Sequence, residues 1–459
     1  MAKTYQNPGV YNEKISILPP KINRANTSIP VFFGFTEKST FDNQRLIYKS
    51  IKINSLGDYE AIFGTISNIL VTVKNDVPKT YTITSNLPHR LYHALRFYFD
   101  NGGGPCYIVS TGVYLKNMDK HLAYNRFEKA LQAVQSVEEP AILVFPDIHL
   151  CGEYLAYELY KKALQQCNEL KYRFVIIDLY SESGMDKFGN ISEDFKNRIG
   201  NNHLKYGAAY YPYLKTLYSP ISDESRCIVK LNRKNYFLKL PPDAPNLSMS
   251  LFHFNNAQYQ EVKQFFNDKN VILPPSSAVA GVYCKIDENR GVWKSPANVS
   301  LNFVKQPMVL ITDFENAEMN VTPSGKSVNA IRSFTGKGLL VWGGRTLAGN
   351  DNEWKYITSV RLCSLVEHSI TKALYQFENE PNNDVTWKKI NVMVEAFLTD
   401  LWRDGALQGS SSDKAFYSII GVNSTMTTQD VLDGKIILHV GLAIVRPAEF
   451  LIIRIQKKL

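Results

Sequence analysis

Apolar positions along this 459-residue chain change rhythm several times. Near the start, Val10, Tyr11, Ile15 and Ile17 lie among polar residues between the turn at Pro8-Gly9 and the stop at Pro19-Pro20, which predicts a short extended arm over residues 1–22. From Ile29 the pattern becomes that of buried strands alternating with amphipathic helices. Ile29–Phe35 is a continuous apolar strand, Ser55 caps a short helix that Gly64 ends, and Leu91, Ala94, Leu95 and Tyr98 share one helical face. A strand at Tyr107–Val109 follows, then a helix with Phe127, Ala130, Leu131 and Val134 inward. Next come the strand Ala141–Phe145, a helix over 154–170, and strands at Phe174–Ile177 and Tyr206–Tyr210. Strands without alternation, separated by helices, predict a largely parallel, doubly wound α/β domain covered on both faces, spanning 23–328. Polar, aperiodic stretches near 183–203 and 220–270 read as surface insertions in it.

Beyond 329 the pattern predicts a smaller α+β unit ending at 445. One helix carries Leu362, Leu365, Val366, Ile370, Ala373, Leu374 and Phe377. A second follows Pro381, with Asp384 as its cap and Trp387, Ile390, Val394, Phe397, Leu398, Leu401 and Trp402 on one side. Lys435–Val445 is a β-branched strand, and after Arg446-Pro447 comes another, Phe450–Ile455, within a terminal arm over 446–459. A strand this apolar must pair, because an exposed edge of isoleucines invites association. It either folds back on its own domain or is given to another subunit.

Charge adds weight to the two ends. Residues 1–30 hold four basic residues against one acid and residues 446–459 also hold four against one, so the termini carry +6 of the net +9. Basic tails keep ends soluble, yet both ends being basic and extended also fits a search for partners. The six cysteines are scattered without C-x-x-C spacing, which argues against a zinc site or a disulfide framework and for reduced thiols. No apolar leader or run of about 18 apolar residues is seen, so neither a secretory signal nor a membrane span is expected.

Three stretches imitate chemistry. Gly102-Gly103-Gly104 suggests a phosphate loop, but the order is helix, glycines, strand, which is a tight helix exit. Gly325-Lys326-Ser327 ends like a Walker A motif, yet its first glycine position is Asn320 and a strand follows it. Asp147 and Asp178 stand at strand C-terminal ends, where α/β sheets place ligands; without a glycine-rich loop or nucleophile beside them, a turn or capping role is favoured. Gly336-Lys337 reads as a hairpin turn. No metal-ligand or nucleophile pattern involves the eight histidines or Ser410-Ser411-Ser412. An α/β nucleotide or phosphate enzyme using Asp147, Asp178 or Lys326 remains the alternative to a structural or binding protein, and no cofactor is called for.

Several stretches together, in order along almost the whole chain, resemble the contractile tail sheath proteins of phages, R-type pyocins and extracellular contractile injection systems. They are Pro8-Gly9-Val10-Tyr11, the run Phe99–Tyr107 through the triple glycine, Val279-Ala280-Gly281 with Gly291–Asn298, Ile331–Gly338 leading to Val341–Arg345, Phe397–Leu407, and Val445-Arg446-Pro447-Ala448-Glu449-Phe450. The resemblance implies a non-enzymatic subunit of stacked hexameric rings around an inner tube, with the α/β domain outside and the 329–445 domain inside. It implies that Pro8, Gly9, Val10, Tyr11 and Ile15 at one end, and Phe450, Ile452, Ile453 and Ile455 at the other, add strands to a neighbour's sheet, with Arg446 and Pro447 as hinge. Contraction is then a switch from a metastable packing to a shorter, wider one, without nucleotide. Implied partners are sheath neighbours, the inner tube, and baseplate and cap proteins, with no direct nucleic acid and no membrane insertion. Lys388, Lys389, Arg403 and Lys414 are candidate tube contacts. Synthesis in the bacterial cytoplasm and incorporation into a phage tail or a released tail-like particle complete the expectation.

Overall fold

The computed structural model describes residues 21–458 except 67, 75–78, 85–89, 116, 181–187, 222, 243–248, 268 and 321–323. Pro8, Gly9, Val10, Tyr11 and Ile15 lie outside the described residues. The described residues form two compact units, one within 25–366 and one joining 21–24 to 367–458.

The larger unit is built on a nine-stranded sheet. Its strands are β1 (Pro30–Thr36), β2 (Ser50–Ile53), β3 (Cys106–Val113), β4 (Ile142–Val144), β5 (Phe174–Asp178), β6 (Gly207–Tyr211), β7 (Val299–Ser300), β8 (Val328–Phe334) and β9 (Gly338–Val341), in the order β7-β9-β8-β6-β5-β4-β1-β3-β2. From β8 to β3 every neighbouring pair is parallel. The chain starts in the middle at β1, places β3 on one side, then returns to add β4, β5 and β6 on the other. That is the doubly wound order, with its switch point between β1 and β4. Continuous apolar strands made this legible: Val31, Phe32, Phe33 and Phe35 are all fully buried, and Phe33 stacks on Phe145 with centroids 4.5 Å apart.

The helix Arg90–Asp100 and the helix Ser276–Arg290 pack closely where two of the sequence signatures meet. A Cβ on Gly281 would stand 2.5 Å from the Tyr98 carbonyl, so only glycine lets the helix approach there. The triple glycine is the predicted helix exit, with Asn101 Nδ2 donating to the Phe97 carbonyl at 2.8 Å.

Three expectations are corrected. The sheet does not stop at 328: β8 pairs with β6, and β9 with β8, so residues 329–341 belong to the α/β unit, and compactness divides the chain after Val366. The stretch 220–270 is not an unstructured insertion. Cys227–Leu231 and Lys234–Phe237 join Ile69–Lys74 and Thr80–Thr84 in a separate four-stranded sheet, followed by the helices Leu251–Phe254 and Asn256–Asn267. Within 183–203, Phe188–Arg198 is helical. Both stretches are amphipathic only over short spans, which periodicity in one window does not register.

The smaller unit carries the helix Asp384–Arg403 and a three-stranded antiparallel sheet of β10 (Phe416–Ile420), β11 (Lys435–Leu442) and β12 (Leu451–Lys458), with β11 central. The helix Ile357–Leu374 spans the division, and Asn383, not Asp384, caps the second helix, its side chain accepting from the Val385 and Thr386 amides. Asn is as good a cap as Asp, so composition alone did not choose between neighbours.

Candidate assembly interface

β12 is the apolar terminal strand, and it is seated on β11 of the same chain along its whole length, from Lys435 opposite Lys458 to Leu442 opposite Leu451. Its side chains alternate. Ile453 and Ile455 are buried, while Ile452 is 60% exposed. Phe450 precedes the strand and packs edge-on against Tyr417 at 5.0 Å. The link from β11 to β12 is short and turns at Ala448, whose φ of 61° is left-handed. Arg446 pairs with Glu449 at 3.2 Å, and the Ala448 amide donates to the Lys414 carbonyl at 3.0 Å. Arg446 and Glu449 are largely exposed, so their ion pair contributes little to holding this link.

Two grooves flank the helix Asp384–Arg403. One of about 950 Å³ runs between Ile22 and the helix residues Val392, Met393 and Phe397. The other, about 560 Å³, lies between Trp387, Asn391 and the outer edge of β10 at Ser418 and Ile419. Lys388 lines both. Lys389 pairs with Glu380 at 3.3 Å. Arg403 occupies the last turn of the helix, about 22 Å from Lys388 along the axis at 1.5 Å per residue, and the Lys414 carbonyl accepts from the Ala448 amide. The four basic candidates therefore form no single patch.

In the α/β unit the two acids at strand ends, where an enzyme of this topology would bind its ligand, are fully buried and hydrogen-bonded within the unit. Asp147, after β4, uses Oδ2 to accept from the Phe35 amide at 2.9 Å and the Tyr114 hydroxyl at 2.7 Å. A Cβ on Gly34 would come within 2.8 Å of that oxygen, so the strand lies hard against the carboxyl. Asp178, ending β5, accepts from the Ser276 amide at 2.9 Å and so caps a helix nearly a hundred residues away. Asp147 is thus a cross-strand tie rather than a cap for the turn it precedes, whose first residues receive no side-chain bond from it. Lys326 is also buried, with its ammonium donating to the Lys196 carbonyl, and β8 follows it directly. Among the described residues there is no group of acids, histidines and cysteines that could hold a metal ion.

Burial pushes the carboxyl of Asp147 up to about 6 and that of Asp178 up to about 7, against partial relief from their hydrogen bonds and from Arg90. The same burial drives His149 well below its ordinary value. Because both acids bind a proton more tightly folded than unfolded, their contribution to stability is complete below the ordinary range near 4 and is lost as pH rises through 6 and 7. The unfolding free energy of the α/β unit in urea is expected to fall between about pH 4 and pH 7, by up to about 1.4 kcal/mol per pH unit for each group, and to level off above. Asp178→Asn should flatten that slope. An unchanged slope would mean that the acid does not titrate in this window.

Residues 349–458 match the phage tail sheath C-terminal domain family. A putative prophage major tail sheath protein of Pseudomonas aeruginosa is 25% identical over 179 residues, 38% of this chain and 44% of the relative. The tail sheath protein of Vibrio phage KVP40 is 25% identical over 146 residues, 32% of this chain and 21% of the relative. The chain thus matches less than half the length of these curated relatives. The solved structures match end to end. The contracted sheath complex of PVC, an extracellular contractile injection system, gives a TM-score of 0.65 at 28% identity over 98% of both chains. The contracted helical sheath of the anti-feeding prophage gives 0.66 at 29% identity over 98% of this chain and 99% of the other.

The family matched by the terminal residues and the solved structures matched end to end are structural proteins of contractile tail sheaths, not enzymes. At 9% identity the chain also shares its fold, over 98% and 95% of its length, with sheath tail proteins of Desulfitobacterium hafniense and Listeria innocua, with TM-scores of 0.55 and 0.56. A related chain also occurs in the baseplate of the anti-feeding prophage.

Proposed function

We propose that the protein polymerises as stacked hexameric rings around an inner tube and contracts to drive that tube through a target envelope. The observation that carries this reading is the end-to-end likeness to two contracted sheaths, joined to a terminal strand that is fully registered and reached through a link whose ion pair is exposed. Strand exchange between copies would restore every hydrogen bond that β12 makes with β11, so donation costs little beyond straightening residues 443–450. The outer edges of β10 and β12 have no strand partner among the described residues, which leaves room for the 1–22 arm of another copy.

In this reading the α/β unit lies outside and the unit holding 367–459 lies inside, facing the tube. Lys388 is the best placed of the four basic candidates, since it borders both grooves, and Lys389, Arg403 and Lys414 would contribute charge at separate points. Baseplate and cap proteins would close the two ends of the tube. The particle would assemble in the bacterial cytoplasm as a phage tail or tail-like weapon that is afterwards released. Neither nucleic acid nor membrane need touch the subunit, and no helix among the described residues is long and apolar enough to cross a membrane. Negative-stain imaging of the purified protein tests the proposal. Striated tubes of two lengths and two diameters are expected, and a uniform population of globular particles at all concentrations would defeat it.

A further inference from the structure

The inward row of β12 reads Leu451, Ile453, Ile455, Lys457, facing Leu442, Val440, Leu438 and Ile436 of β11. Because strands repeat every two residues, a slip by one would turn this row outward, but a slip by two would keep it inward. Isoleucine at 453 and 455 cannot tell such registers apart, since each would still meet an aliphatic residue. Something else must set the register, and the only charged member of the row is Lys457.

Its ammonium is held by two groups at the end of the long helix. It lies 2.7 Å from Glu378 Oε1 and 3.4 Å from the centroid of the Tyr375 ring, and only 15% of the side chain is exposed. Tyr375 opens the short 3-10 turn Tyr375–Phe377 that follows Ile357–Leu374, and Glu378 caps its end, in the same compact unit as β12. Carboxylate and aromatic face together make a seat for a cation. Shift the strand by two residues one way and the ammonium enters the aliphatic place of Ile455 against Leu438. Shift it the other way and Ile455 faces Glu378 while the cation leaves its seat. Either error either buries an unpaired charge or leaves a carboxylate facing an aliphatic chain.

We infer that Tyr375 and Glu378 form a reading site for the terminal strand, and that Lys457 sets its register. The inference rests on the sheath reading for its partner: the strand recognised in the assembly is that of a second copy, of the form apolar-x-apolar-x-apolar-x-cation. The site acts in the same way on the chain's own strand.

Full-length protein carrying paired cysteines on the outward row tests this. His439 faces Arg454, so His439→Cys with Arg454→Cys reports the native register, whereas His439→Cys with Gln456→Cys or with Ile452→Cys reports a slip of two. Diagonal neighbours about 7–8 Å apart are too far to bridge without movement, and all six native cysteines are buried. In the parent, only the 439/454 pair should cross-link well. Lys457→Met, which keeps the stem and drops the charge, should raise the slipped cross-links roughly tenfold, and the exchanged pair Lys457→Glu with Glu378→Lys should return them to the parent level. Unchanged cross-linking in Lys457→Met overturns the inference, as does slippage that the exchanged pair does not reverse. Cross-links between chains, seen as multimers on a denaturing gel, report donation separately. If every cross-link in assembled tubes stays within one chain, strand donation fails while the register result stands.

Discussion

A chain ending at Arg446 is expected to form no tubes at concentrations where the complete protein does. Deleting 447–459 removes all of β12, together with the eight-residue ladder to β11. The loss is larger than that of a dangling tail. Ile453 and Ile455 are 6% and 3% exposed, and fully burying such side chains contributes about 1.5–3 kcal/mol each. The deletion therefore strips about 3–6 kcal/mol of apolar burial from the terminal unit and exposes one edge of β11 along Ile436, Leu438 and Val440. The α/β unit, whose core does not include β12, should keep its own unfolding transition. Electron microscopy and sedimentation would show tubes replaced by small particles, while a two-step denaturation profile would lose stability only in its weaker step. Striated tubes in ordinary yield from the shortened chain would refute a role for the arm in assembly.

Arg361→Met is expected to destabilise the α/β unit by about 3–5 kcal/mol, because it removes one half of a buried ion pair and strands the other. The Arg361 guanidinium meets both oxygens of Asp287, at 2.9 and 2.5 Å, and donates to the Thr27 carbonyl at 2.9 Å. It lies 4.7 Å from the centre of the Tyr283 ring, and both charged side chains are only 5% exposed. Thr27 Oγ1 adds a bond to Asp287 at 2.8 Å. Both charges are buried, so truncating Arg361 leaves the Asp287 carboxylate buried without its counter-ion. Adding Asp287→Leu to Arg361→Met should recover most of the loss, since an uncharged pair has no such penalty. Chemical denaturation of the two variants gives the measurement. If the single variant lost less than about 1 kcal/mol, as an exposed pair would, the burial of this network would be wrong.

The failed motifs show where local sequence stops being informative. The helix-glycine-strand order around Gly102 was enough to exclude a phosphate loop, because loop chemistry depends on chain order. Lys326 could be discounted for the same reason, although its actual partner, the Lys196 carbonyl, could not be foreseen from 130 residues away. Asp147 and Asp178 looked alike, since each is an acid after an apolar strand. One turned out to tie two neighbouring strands together and the other to cap a distant helix. The ion pair of Arg361 and Asp287 was not singled out at all. Nothing in the neighbourhood of either residue marks it, as the signal lies in a pairing across 74 positions.

Chain order and periodicity by themselves determined the alternation of strands and helices in the α/β unit, the two amphipathic helices near the C-terminus, the two terminal strands, and the ordered signatures that pointed to a sheath. These are properties of short windows, where the burial of a face dictates the spacing of apolar residues. Tertiary structure alone decided that β8 and β9 extend the large sheet past the expected boundary, that strands within 220–270 join 69–84 in a second sheet, and that Asp147 and Asp178 bond to distant backbone. It also decided the seat of the last strand. Ile453 and Ile455 made β12 apolar, but apolar alternation is satisfied equally well two residues away, and the groups that distinguish one register from the next, Tyr375 and Glu378, are supplied by a turn some eighty residues earlier.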